Sequence, residues 1–248
     1  MLRNSFIILE KISYGMEQRI WRQGIRTWSD FIAADNVEGV SSLRKKAYDR
    51  DLIKAENNLA LGNIGFFSER LPSTETWRLY KEFYSSCIFL DIETGYYRDD
   101  VVIIGLGDGD VVRHLVQGFN LNQKELTAFL ERFPIAVTFN GASFDIPILK
   151  RRFLRKMRWP IAHIDLRHLC FSLGFYGGLK QIEHDLGILR EYAHSYGNPD
   201  PVSLWHVWRE SGDERCMEAL LEYNSQDVSN LMSILDIMYS RRIASIIE

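Results

Sequence analysis

The chain has 248 residues, of which 46% are hydrophobic and 25% charged, with a formal net charge of −3. That length and mix suit one ordinary α/β domain plus a small appendage, with a core large enough to need no staples. The charge excludes a wholly basic nucleic-acid binder but not a nuclease, because a carboxylate site adds negative charge that cations neutralise and a net value hides local patches.

Cys87, Cys170 and Cys216 form neither a CxxC pair nor a disulfide framework, so a reducing compartment is expected. The apolar run at residues 6–9 is too short for a signal peptide, and no apolar stretch approaches a membrane span. The expectation is a cytoplasmic protein without membrane contact; the oligomeric state stays open.

Taken in chain order, residues 1–70 read as helical. Ile12, Met16, Ile20 and Trp21 recur at helical spacing, as do Trp28, Phe31 and Ile32, and 43–61 continues as a helix rich in Lys, Glu, Ala and Leu. Residues 13–28 look like a helix-hairpin-helix module, which grips phosphate through backbone N–H groups in a Gly-x-Gly turn. Ser13 stands where the first glycine would be, so a protein-contact or purely structural role fits equally well. Leu71-Pro72-Ser73-Thr74-Glu75 marks the expected boundary, with a second domain over 77–248.

There the pattern changes. Cys87-Ile88-Phe89-Leu90 and 101–106 are short apolar runs of buried-strand type, Gly107-Asp108-Gly109-Asp110 is a turn signal, and 111–116 returns as a hairpin strand. A helix at 123–132 is stopped by Pro134, a strand follows at 135–139, a helix at 146–156 and a strand at 161–165, and the chain is mostly helical from Leu166 onward. The fold class is α/β, a mixed sheet flanked by helices, with a small N-terminal helical domain.

Three segments carry acids. Asp91 and Glu93, at the end of the first strand, are two apart and share a face; gathering them costs free energy unless a cation offsets it. Asp145 closes Asn140-Gly141-Ala142-Ser143-Phe144-Asp145 at a strand-to-helix junction, where an N-cap role would also explain it. Tyr223 and Asp227 lie at i and i+4, one turn apart on a helix whose apolar residues Leu220, Leu231, Ile234 and Leu235 face inward. Singly, each has an ordinary structural explanation.

Together and in this order they resemble the Tyr-type DEDD 3′→5′ exonuclease superfamily over residues 83–238, most nearly its YprB-type RNase H-like family. The 140–145 segment is also similar to that of family B DNA polymerase proofreading domains. The resemblance implies an RNase H-like sheet and two-metal phosphodiester hydrolysis with Mg²⁺ or Mn²⁺. It implies that Asp91 bridges two ions, that Glu93 and Asp227 complete one shell, that Asp145 holds the other ion mostly through water, and that Tyr223 orients the attacking water. A phenol of ordinary pKa near 10 is a poor general base, so Tyr223 reads as a positioning group.

The implied partner is nucleic acid, single-stranded or the 3′ end of a duplex. Asn140 and Phe144 flank the second segment, and Phe144 could stack on a base or simply anchor the core. Lys180 opens a helix after Gly177-Gly178, a placement that favours phosphate. Arg151 and Arg155 belong to a basic run, with Lys150, Arg152, Lys156 and Arg158, on the helix after Asp145, suited to sequence-blind phosphate contacts. His163, His168, His184, His194 and His206 show no metal-ligand spacing, and Trp205 and Trp208, one turn apart, read as core. The competing reading is a catalytically silent nucleic-acid-binding or assembly module of the same fold, which would ordinarily have lost one of the four acids.

Overall fold

The computed structural model describes residues 1–190 and 200–247. Two compact units emerge: Met1–Tyr84 with the chain end from Ile243, and Ser85–Arg242.

The first unit holds α1 (Tyr14–Arg22), α2 (Trp28–Ala33), α3 (Ser42–Ala60) and α4 (Ile64–Ser68), followed by a 3₁₀ helix, Ser73–Leu79. Each α-helix starts where a short polar side chain can accept an orphan amide: Ser13, Thr27, Ser41 and Asn63, with Thr27 and Asp30 forming a reciprocal capping box. The unit extends past the boundary expected at 71–75, because Trp77, Leu79 and Tyr80 are buried in it. Arg78, fully buried, forks onto Glu17 of α1 at 3.1 and 2.9 Å. Glu17 also accepts the Phe6 and Ile7 amides at 2.6 and 3.2 Å, so one carboxylate ties three segments together. Burial pushes its carboxyl above the ordinary range, and Arg78 is the largest influence pulling it back.

The second unit is built on β1 (Cys87–Thr94), β2 (Val101–Gly107), β3 (Val112–Val116), β4 (Ile135–Thr138) and β5 (Ala162–Asp165), in the order β3-β2-β1-β4-β5. β1 and β2, and β2 and β3, pair antiparallel; β1 and β4, and β4 and β5, pair parallel. The hairpin turn forms at the expected place, Asp108 accepting the Asp110 and Val111 amides while Gly109 takes φ 104°. The helices are α5 (Gln123–Leu130), α6 (Asp145–Arg152), α7 (Leu166–Ser172), α8 (Leu179–Leu186), α9 (Pro201–Ser211) and α10 (Glu214–Ile247). Among the described residues no helix is long and apolar enough to cross a membrane.

Alternation along the strands sorts side chains between two cores. Ile88, Leu90 and Ile92 pack with Leu126 and Leu130 of α5 and Ile148 and Leu149 of α6. Val102, Ile103 and Val116 pack with Leu204 and Trp205 of α9 and Ala219 and Leu220 of α10. Both cores can claim neighbouring β2 residues because Glu93 pairs with Ile103 but Thr94 with Val101, leaving Val102 as a bulge. Trp205 and Trp208, 5.0 Å apart, are core aromatics as their spacing suggested.

α10 comes close to β2 at two glycines. A Cβ on Gly105 would meet Asn224 Oδ1 at 2.0 Å and Val228 Cγ2 at 2.7 Å, and one on Gly107 would meet Val228 Cγ1 at 2.7 Å. Gly105→Ala is therefore expected to push α10 off the sheet and destabilise the second unit by about 1–3 kcal/mol. Urea denaturation followed by tryptophan fluorescence would read it as a lowered midpoint.

α6 is shorter than its pattern implied. Leu154 and Trp159 are 2% exposed, and the chain leaves the helical path after Arg152 to bury them. Lys150, Arg151 and Arg152 remain on α6, while Arg155, Lys156 and Arg158 lie beyond it.

Candidate active site

The strand that bears the first acids runs four residues past its apolar run. Through Asp91 and Glu93, β1 continues to pair with β2, but its pairing with β4 ends at Phe89. The Ile92 amide, which points to the β4 side, is taken instead by Asp145 Oδ1 at 3.1 Å. Asp145 is thus the first residue of α6 rather than its N-cap, a position held by Phe144 without a side-chain bond. Asp165, at the end of β5, accepts the Asn140 and Ala142 amides at 2.8 and 3.1 Å and so fixes the turn carrying Asp145. Asn140 adopts φ 61° there, a conformation Asn tolerates.

Asp91 and Glu93 emerge half-buried on the α10 face of the sheet, opposite Asp227, which is 6% exposed. Asp91, Glu93 and Asp227 each offer an oxygen within 4.8 Å of the others. Asp145 lies outside that triplet yet close enough to repel both Asp91 and Glu93. Asn224, fully buried one residue after Tyr223, donates to Asp91 Oδ2 at 2.8 Å, its own Oδ1 resting against Gly105. The bare α-carbon of Gly105 is what lets α10 bring Asn224 and Asp227 down to the acids.

Every carboxyl of the group is pushed above its ordinary range. Asp91 moves well above it, through burial and then repulsion from Glu93, Asp227 and Asp145. Burial, then Asp227, raises Glu93 to about 8; burial raises Asp145 to about 7. Asp227 is raised to about 6 by burial, held down by the Arg190 guanidinium. An all-oxygen donor set under this much mutual repulsion fits a hard divalent cation, whose charge would relieve it. The Tyr223 phenol, 9% exposed, is also pushed up, by burial and the neighbouring acids.

A family model of the RNase_H superfamily matches residues 88–239. The chain belongs to the RNase H superfamily. No curated protein sequence matches it. RNase H superfamily proteins are generally nucleases that act on nucleic acid with divalent metals, and the match spans β1 through most of α10, every segment that supplies an acid. The five-stranded mixed sheet with helices on its faces is the α/β fold of that superfamily.

Around this RNase H superfamily core the remaining expected residues fall in two groups. Lys180, on the first turn of α8, lies 4.9 Å over the Tyr223 ring, beside the acids. Asn140 and Phe144 flank Asp145, but both are engaged. The Asn140 oxygen accepts from Arg167 and Ser143, and Phe144 packs on the core with Arg98 5.0 Å over its ring. Arg151 and Arg155 are exposed; Arg151 pairs with Asp99, and Arg155 donates to the Arg151 carbonyl at 2.8 Å. His163 bonds Thr138 at 2.9 Å, and burial pulls its imidazole down to about 4, so it is a neutral structural histidine. His184 is exposed, unlike its buried neighbour Glu183; His194 lies outside the described residues.

Asn224, Arg190 and Asp165 escape the sequence reading. Asn224 left a usable trace, standing three residues before Asp227 on the same helix face. Arg190 and Asp165 left none, because their partners are set by tertiary packing.

Proposed function

We propose that this chain is a metal-dependent 3′→5′ exonuclease that removes nucleotides from DNA or RNA at the acidic recess. The observation that carries this reading is the meeting of Asp91, Glu93 and Asp227, from segments more than a hundred residues apart, within 4.8 Å. Asp91, Glu93, Asp145 and Asp227 would hold two ions, Mg²⁺ or Mn²⁺. Such ions supply charge for the phosphoryl oxygens and lower the pKa of a bound water. Tyr223 positions the attacking water: its raised phenol pKa makes proton removal by the ring itself unfavourable. Lys180, the second residue of α8, supplies positive charge for the phosphate.

A single-stranded end is the favoured substrate. Tyr96 and Tyr97, in the turn that follows Glu93, are 74% and 79% exposed. The Tyr96 ring stacks on His206 at 3.6 Å, which supports it as a platform. Exposed aromatic faces beside a phosphodiester site suit unpaired bases, which stack without regard to sequence. Arg155, Lys156 and Arg158, with the α6 cations, supply salt-sensitive phosphate contacts along the same unit.

The test is a degradation assay on 5′-labelled single-stranded DNA, duplex DNA and RNA with Mg²⁺, Mn²⁺ or chelator. A ladder shortening from the 3′ end, present with metal and absent with chelator, is expected, fastest on single strands. Products of internal cleavage only, or equal degradation in chelator, would refute the proposal.

A further inference from the structure

Besides Lys180, an arginine stands directly against the acids of the recess. Arg190 reaches Asp227 Oδ1 through Nη2 at 2.5 Å while holding Glu183 of α8 with two bonds, Nε–Oε2 at 2.5 Å and Nη2–Oε1 at 2.7 Å. The assembly is buried: Arg190 and Asp227 side chains are 9% exposed and Glu183 is 2% exposed. Glu183 Oε1 accepts a further bond from Asn230 of α10 at 2.9 Å, so both ends of the relay rest on helices. The guanidinium also sits over the Tyr223 ring, 5.6 Å from its centre.

The geometry points to Arg190 as a resident competitor of the divalent cation at Asp227, a positioning residue that sets the metal concentration at which the recess loads. The inference rests on the metal-dependent reading above and deepens it. An oxygen engaged by a guanidinium at 2.5 Å is not fully available to another cation, and a fixed positive charge beside the acids repels an incoming one. The bidentate grip of Glu183 makes the exchange inexpensive. When Asp227 turns to a metal, Arg190 keeps two charge-assisted bonds and is not stranded as a buried unpaired charge. The same contact makes the metal-free recess more tolerable, since it adds a buried counter-charge to the one that Lys180 supplies to Glu93 and Asp227.

The inference is tested by titrating Mn²⁺ alone into the full chain, followed by calorimetry and by thermal shift, with no nucleic acid present. Arg190→Gln is expected to bind Mn²⁺ more tightly by roughly tenfold, the scale of one nearby charge in a partly wet site. Arg190→Lys, which retains the charge, is expected to stay near the wild-type midpoint. The double substitution Arg190→Gln with Glu183→Gln also removes the Glu183 charge that the single variant would leave buried without its guanidinium, and should reproduce the tighter binding if the single variant misfolds. Equal or weaker Mn²⁺ binding in Arg190→Gln and the double variant overturns the competition, leaving Arg190 a structural tie. A wild-type chain that binds no Mn²⁺ overturns the metal site itself, a different and wider failure.

Discussion

Asp91→Ala and Asp227→Ala are each expected to lower metal-dependent nucleotide release by more than about 10³-fold while the second unit stays folded. The persistence of the fold follows from where the acids sit. β1 is fixed by Leu90 and Ile92, 0% and 4% exposed on the opposite face, and by its ladder to β2. Asp91 itself adds repulsion: it faces three other carboxyls, and each of them raises its pKa further. The sharper variant is Asp91→Asn, which retains an acceptor for Asn224 and removes the charge. Without metal it should melt a few degrees above wild type, since about 1 kcal/mol moves the midpoint of a unit this size by roughly 2–4 °C. With Mg²⁺ or Mn²⁺ that order should reverse, because the wild type regains what its acids lost to repulsion. Tyr223→Phe marks the contrast: metal binding retained, turnover lowered. Unchanged turnover in the alanine variants, or loss of metal binding in Tyr223→Phe, contradicts the assigned roles.

That pairing of activity with instability also explains what the sequence could convey. The strands were legible because Cys87-Ile88-Phe89-Leu90 and 101–106 are apolar runs bounded by turn chemistry, and period-two alternation is local information. Asp91 and Glu93 were legible as a pair on one face for the same reason. What was not legible is how that end of β1 is paired: it leaves β4 after Phe89 and stays on β2 up to the bulge at Val102. The two glycines of β2 look like interruptions of a strand, and only the approach of α10 gives them a purpose. The end of α6 was misjudged because helical spacing continues to 156, while Leu154 and Trp159 are drawn into a core the local pattern does not encode. The first unit's reach to Tyr84 depends on Arg78 meeting Glu17, 61 positions away. Local chemistry announced the parts of the recess; long-range packing chose Asn224, Arg190 and Asp165 to hold them.

The raised carboxyls make the metal-free protein lose stability as pH rises. In an unfolded chain Asp and Glu titrate near 3.8 and 4.5, whereas in the folded recess Asp227 titrates at about 6, Asp145 at about 7 and Glu93 at about 8. Between those limits the folded state binds more protons than the unfolded one, and the free energy of unfolding therefore falls with increasing pH. The contribution is complete below the unfolded values and gone once pH has passed through the folded ones. His163 acts in the opposite sense: its imidazole is held down at about 4 against an ordinary 6.5, so stability climbs with pH between those values as the cost of keeping it neutral fades. The window that isolates the acids is accordingly pH 6.5 to 8, where Asp145 and Glu93 release their protons. In chelator the melting temperature of the second unit is expected to drop across this window by about 5 °C, a change on the order of 1–3 kcal/mol. Saturating Mg²⁺ or Mn²⁺ should flatten or invert the slope, since ions bind the deprotonated carboxylates and stabilise most where protons bind least. Differential scanning fluorimetry at three pH values with and without metal resolves both slopes. A chelator curve that is level or climbs between pH 6.5 and 8 would mean the acids are already relieved of one another's charge. That outcome would remove the electrostatic demand from which the cation site is inferred.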